Sequence, residues 1–122
     1  MAITRATIID TTVYGVANGN YDGSSQDWVS NPVKAANYYR GQGSIQTVTF
    51  TVQGFEGVMH LEATLSADPA QAVWFDTFTY GDGSTIPLSD YHPEAVLGNF
   101  TWMRVRVEGF SGGTINSVTI AY

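Results

Sequence analysis

The sequence predicts an all-β chain: a single antiparallel β-sandwich, with jelly-roll as one possible type, or a small barrel, with about seven to eight strands. Composition is the first reason. The chain has only 4 Leu against 12 Val, 7 Ile and 14 Thr, and it has 13 Gly. β-Branched residues suit a pleated, half-buried surface, whereas a helical bundle would draw on Leu, Glu, Lys and Ala. The second reason is periodicity. Alternation of apolar and polar residues recurs, and no stretch carries a convincing apolar repeat of about 3.6 residues. The third is punctuation, because Gly, Asn, Asp and Pro clusters separate the strand-like runs. A length of 122 residues fits one domain spanning 1–122.

The expected elements follow in order. Ile3 to Ile9 is β-branched and stops at Asp10, and Thr11 to Val16 is a second short run. Residues 17–32 are rich in Asn, Gly, Asp and Ser and form a long irregular loop or arm. A loop of that length in a compact domain is usually functional or pinned by a partner. Val33 to Arg40 and Ser44 to Gln53 flank Gly41-Gln42-Gly43 and read as a hairpin. In its second arm Val48, Phe50 and Val52 are the expected core face. Gly54-Phe55-Glu56-Gly57 is read as a turn.

Val58 to Ala67 alternates, with Met59, Leu61, Ala63 and Leu65 on one face and Val58, His60, Glu62 and Thr64 on the other. Asp68-Pro69 ends it, and Asp68 to Ala72 has room for one helical turn. Val73 to Tyr80 is aromatic and β-branched, with Phe75 expected in the core; Gly81-Asp82-Gly83-Ser84 turns the chain. Ile86 to Leu97 contains Pro87 and Pro93 and reads as a long loop holding at most a short strand. Phe100 to Glu108 alternates again, with Thr101, Met103, Val105 and Val107 against Trp102, Arg104 and Arg106. Gly109 to Gly113 is expected to turn, and Thr114 to Tyr122 closes the chain.

Charge and motifs exclude several functions. The formal net charge is −6, from 5 basic and 11 acidic residues, so no cationic surface is expected for nucleic acid. With Cys 0, disulfides and thiolate zinc sites are impossible. No apolar run reaches the roughly 18–20 residues that span a bilayer, and the first ten residues lack the pattern of a secretory signal. The chain is expected to stay in the compartment where it is made, or to leave by a route other than a signal peptide, and no membrane partner or cofactor is expected. Asn18 to Ser24 superficially matches the start of a calcium loop, but the twelfth position is Val29, so it reads as a polar turn.

No nucleophile motif or phosphate-cradling loop occurs, and an enzyme is not expected. The acids of a small glycan hydrolase would be residues such as Glu62 or Asp76. His60 and Glu62 on one strand face Arg104, Arg106 and Glu108 on another if the two strands are neighbours. Cross-strand ion pairs, each worth at most about 1 kcal/mol, are then expected instead of an acid–base pair. His92 reads as a surface loop residue.

Aromatic residues are the remaining signal. Trp28, Phe55, Tyr91 and Phe110 lie in or beside turn regions, and Tyr38-Tyr39 are consecutive, so one of the two must face outward on a strand. Trp28, Tyr38, Tyr39, Phe55, Tyr91 and Phe110 are therefore the candidate contact residues.

One resemblance rests on the strand order. Met59-His60-Leu61-Glu62-Ala63-Thr64-Leu65 is followed by Trp74-Phe75, then by Gly98-Asn99-Phe100-Thr101-Trp102-Met103-Arg104-Val105-Arg106-Val107, then by Gly113-Thr114-Ile115-Asn116-Ser117-Val118. From about Tyr38 to Tyr122 this is similar to small β-sandwich virion proteins of tailed bacteriophages, and more loosely to discoidin-like sandwiches. The resemblance implies a structural role in the virion: head decoration, or a neck, baseplate or fibre component. It would bind capsid or tail subunits and self-associate into a homo-oligomer. The alternative is a carbohydrate-binding module that contacts surface glycans through Trp28, Tyr38 and Tyr91. A low-charge, Thr- and Gly-rich surface suits either role.

Overall fold

The computed structural model describes residues 4–38, 45–82 and 87–122. Its strands are β1 (Arg5–Ile9), β2 (Thr12–Val13), β3 (Trp28–Val29), β4 (Val33–Lys34), β5 (Ile45–Thr64), β6 (Phe75–Tyr80), β7 (Leu88–Leu97) and β8 (Trp102–Ala121). All eight belong to one antiparallel sheet. Among the described residues the only helical element is a 3-10 turn at Pro69–Gln71, where the Asp68 carboxylate accepts from the Ala70 amide. This is the single turn expected there.

Two strands organise the sheet. β5 and β8 are 20 residues each and pair with one another along most of their length. On the far side of β8, β1, β2, β3 and β4 each pair with a different section; on the far side of β5 lie β6 and β7. A straight strand of 20 residues would run about 66 Å, nearly twice the roughly 35 Å width of a compact domain this size. Both strands must therefore bend. They do so together, where the register shifts between Gln53 and Val58 of β5 and between Glu108 and Thr114 of β8.

The bend corrects two expected turns. Gly54 to Gly57 and Gly109 to Gly113 do not reverse the chain; they kink it inside β5 and β8. Gly54 (φ 62) and Gly113 (φ 85) lie in the left-handed region, and a Cβ on Gly113 would collide with the Gly54 carbonyl. Only glycine allows both the backbone angle and this close approach of two strands.

Bending folds the sheet over on itself, and its two halves become the layers of the sandwich. One layer holds β7, the first half of β5, the last half of β8, β1 and β2. The other holds β6, the last half of β5, the first half of β8, β3 and β4. Phe50 of the first layer stacks on Tyr80 of the second with centroids 4.9 Å apart, and Phe78 of β6 stacks on His92 of β7 at 5.7 Å. The core between the layers contains the expected Val48, Phe50, Val52, Met59, Leu61, Ala63, Met103, Val105 and Val107. Burying each of the larger side chains contributes roughly 1.5–3 kcal/mol.

Two bulges adjust this core. Thr7 pairs with Thr119 but Ile9 pairs with Val118, so consecutive Ile8 and Ile9 are both buried. Thr51 pairs with Ser117 but Val52 pairs with Ile115, which lets Ile115 and Val118 both face inward. An extra residue in one strand shifts its phase in this way.

Other expectations need correction. The stretch Ile86 to Leu97 is largely strand β7 rather than loop; Pro93 fits because β7 pairs only with β5, so its other edge needs no donor from that residue. The hairpin arms on either side of Gly41-Gln42-Gly43 do not pair: β4 lies against β8, and that turn lies outside the described residues. The strand expected over Thr11 to Val16 shrinks to Thr12–Val13, and Val33 to Arg40 shrinks to Val33–Lys34 before a turn closed by the Tyr38 amide on the Ala35 carbonyl. Leu65 falls past the end of β5 and is exposed. Phe75 is 40% exposed instead of filling the core, because it lies at the start of edge strand β6 and packs only sideways on Phe100.

Candidate functional site

The outer sides of the two layers differ in chemistry. On the second layer, register places His60 opposite Arg106 and Glu62 opposite both Arg104 and Asp76. Arg104 Nε donates to Glu62 Oε1 at 2.7 Å and Arg106 Nε to Glu62 Oε2 at 3.2 Å. Arg106 also donates to Glu108 at 3.0 Å and stands 3.7 Å from Asp76. His60 Nδ1 lies 3.3 Å from Asp76, and the Arg104 guanidinium sits 4.2 Å over the Trp74 ring. Burial would pull the Arg106 pKa down, but hydrogen bonds to Glu62 and Glu108 and the charges of Glu62 and Asp76 outweigh it, so the net shift is upward.

The expected cross-strand pairing of His60, Glu62, Arg104, Arg106 and Glu108 is thus present. Its chemistry is structural in form. Both Glu62 oxygens receive guanidinium donors, and His60 faces Asp76 and Glu108 instead of Glu62. The acids Glu62 and Asp76 contact cationic or imidazole side chains, and the Thr79 hydroxyl lies 3.4 Å from His60 Nδ1. His92, expected in a loop, lies on β7 and contacts Glu94 at 3.0 Å.

The outer side of the first layer is neutral. Its cross-strand rows are Tyr91–Thr51–Ser117, Pro93–Thr49–Thr119–Thr7 and Ala95–Thr47–Ala121–Arg5, with Leu97–Ile45 at the end. Arg5, on the far strand β1, is the only charged residue in these rows. The rim along edge strand β7 is apolar and open: Tyr91 is 70% exposed, Leu97 73% and neighbouring Ile45 60%.

A cavity of about 390 Å³ opens at the opposite edge of the sandwich, between β1–β2 and β3–β4. Its wall includes Asp10, Asn18, Asn20, Trp28, Ser30 and Asn31. The 17–32 segment, expected as a long irregular loop or arm, folds back to build part of this wall. Tyr21 is buried against Trp28 and Phe110, and its Oη accepts from the Gly15 amide. Asp22 accepts from the amides of Ser24 and Ser25 and from the Ser25 hydroxyl. The Ser25 hydroxyl and amide, with the Ser24 amide, hold the Asp22 carboxyl well below the usual carboxylate range. This carboxylate organises the turn. Among the described residues no group of three or more His, Asp or Glu side chains is placed to hold a metal ion.

The candidate contact residues separate into two groups. Trp28, Phe55 and Phe110 are buried, which corrects their reading as contact residues. Phe55 and Phe110 stand beside the glycine bends with centroids 5.8 Å apart and fill the fold line of the sheet. Trp28 faces inward opposite Val107. Tyr38 and Tyr91 are exposed but lie on opposite sides of the molecule. Tyr38 packs edge-on against Trp102 on the charged side, under Lys34, and Tyr91 lies on the neutral side. Tyr39 lies outside the described residues. No planar platform of Trp28, Tyr38 and Tyr91 therefore forms. A low-charge, Thr-rich surface was expected, but not its concentration on one face. Thr47, Thr49 and Thr51 already alternate with the core residues, but their rows with Thr119 and Thr7 depend on long-range pairing.

No family model, no curated protein and no solved structure matches this chain.

Proposed function

We propose that this protein is a non-enzymatic structural subunit of a bacteriophage virion, packing against capsid or tail subunits, other copies of itself included, through the neutral face of its first layer. The phage assignment rests on the strand-order resemblance. The observation that carries the contact role is the contrast between the two faces. Covering a charged group with a partner strips its water and requires exact pairing, whereas a Thr, Ser and Ala surface with an apolar rim can be covered at far lower cost. Interface centres are depleted in charge and enriched in Tyr for this reason. Edge strand β7 supplies the apolar rim and lies beside the Thr rows, so one contact could cover both.

The test is size-exclusion chromatography with light scattering, together with co-purification with phage particles. Self-association or particle binding is expected. A strict monomer that never accompanies particles would overturn the assignment.

A further inference from the structure

We propose that Pro93 and Asp90 close the outer edge of β7 to strand addition, so that its apolar rim can be covered only by the side chains of another molecule and not by its main chain. This concerns how the first layer is approached and does not depend on the phage assignment. The register shows which main-chain groups face outward. Thr4 and Tyr122 exchange both hydrogen bonds, and in an antiparallel ladder such pairs alternate with pairs that turn their polar groups away from each other. Carried across the rows, Thr7 turns away from Thr119, Thr119 bonds with Thr49, and Thr49 turns away from Pro93. Phe50 and Val48 instead bond with His92 and Glu94. The main-chain groups of Tyr91, Pro93, Ala95 and Leu97 therefore point off the sheet.

Two of these positions offer no donor. Pro93 has no amide hydrogen. The Tyr91 amide donates to Asp90 Oδ1 at 2.9 Å. Asp90 is held there from the opposite layer, because the Tyr80 hydroxyl donates to its other oxygen at 3.2 Å. An incoming strand needs donors and acceptors in alternation along the edge, and here the donors stop after Leu97 and Ala95. The block sits where the hazard is greatest. β7 has 10 residues, against 6 for the bulged β6, 5 for β1 and 2 each for β2, β3 and β4. Short or bulged edges pair poorly by themselves. A long edge flanked by exposed Tyr91, Leu97 and Ile45 needs explicit protection.

Pro93→Thr restores the missing donor and continues the row of Thr49 and Thr119 without removing a bond to β5. Incubated at the same concentration as wild type, the purified variant should grow into open-ended assemblies in light scattering. It should also bind thioflavin T at least about fivefold more strongly than wild type does. Ala95→Pro added to this variant removes the next donor and should return both signals to the wild-type level. Asp90 is tested by comparing Tyr80→Phe with Tyr80→Phe plus Asp90→Ala, a pair in which no phenol loses its acceptor. The second should show a rise of about twofold. Where Pro93→Thr does not fold, by circular dichroism and cooperative unfolding, this pair alone decides. The proposal is overturned if folded Pro93→Thr assembles no more than wild type, if Ala95→Pro leaves its assembly unchanged, or if loss of Asp90 changes nothing. A monomeric wild type in the same runs counts against the neutral-face contact and leaves the edge block standing.

Discussion

The two outer faces of the sandwich are built from the same two strands. The second half of β5 and the first half of β8 present His60, Glu62, Arg104, Arg106 and Glu108; the other halves present Thr47, Thr49, Thr51, Ser117 and Thr119. The charged half spends its side chains on one another, and the neutral half leaves its hydroxyls and its apolar rim toward solvent. A single bend in a single sheet thus separates a surface whose charges are paired with one another from one that is cheap to cover. Substitutions should therefore affect stability on one face and association on the other.

The largest stability effect is expected for Glu62→Ala. The side chain is only 9% exposed and bridges both arginines, so its loss leaves two guanidiniums without their common partner. The arginines are partly solvated, which moderates the cost to about 2 kcal/mol in urea unfolding. A loss no greater than that of a surface threonine would remove the distinction between the faces. A double-mutant cycle over Glu62 and Arg104 should give a coupling of about 1 kcal/mol, shrinking in 1 M salt where the screening length is about 3 Å. A coupling insensitive to salt would mean that packing, not charge, holds the pair.

Alkaline pH gives a smaller effect from the sandwich interior. Burial, and then the charge of Asp90 and the hydrogen bond to it, push the Tyr80 hydroxyl well above its ordinary value of 10.0. The folded state thus favours the neutral phenol. That contribution is complete below the ordinary value and is lost as pH rises above it toward the folded one. Wild type should lose stability above pH 10 more steeply than Tyr80→Phe, measured by thermal unfolding across that range. Parallel curves would show that Tyr80 is not the titrating group. Thr49→Ala on the neutral face should change stability least, by no more than about 0.5 kcal/mol.

Local alternation made much of this legible. Val48, Phe50 and Val52, then Met59, Leu61 and Ala63, then Met103, Val105 and Val107 could be assigned to the core because period 2 is set within one strand. The glycine bends were misread for a physical reason. Left-handed glycine signals either a reversal or a kink, and only the pairing of Gly54 with Gly113 across β5 and β8 distinguishes them. The same ambiguity placed Phe55 and Phe110 in or beside turns as candidate contact residues, whereas they fill the fold line. Pro93 concealed β7, because a proline excludes a central strand but not an edge strand. The ion-pair cluster was readable as a conditional, since two polar faces with matching charges needed only to be neighbours. The neutral face was not readable, because its rows join segments far apart in sequence, such as Thr47 with Ala121; the cavity was not readable, because it needs the 17–32 segment to fold back beside β1.

The contact role is tested most directly by co-sedimentation with phage particles of the wild type, Thr49→Lys and Glu108→Lys. Thr49→Lys places a charge at the centre of the neutral rows, and Glu108→Lys alters charge on the other face at a half-exposed position. Wild type and Glu108→Lys should sediment with the particles, and Thr49→Lys should stay in the supernatant while unfolding as a native protein. If Thr49→Lys still sediments and Glu108→Lys does not, the charged face is the docking surface and the account is contradicted.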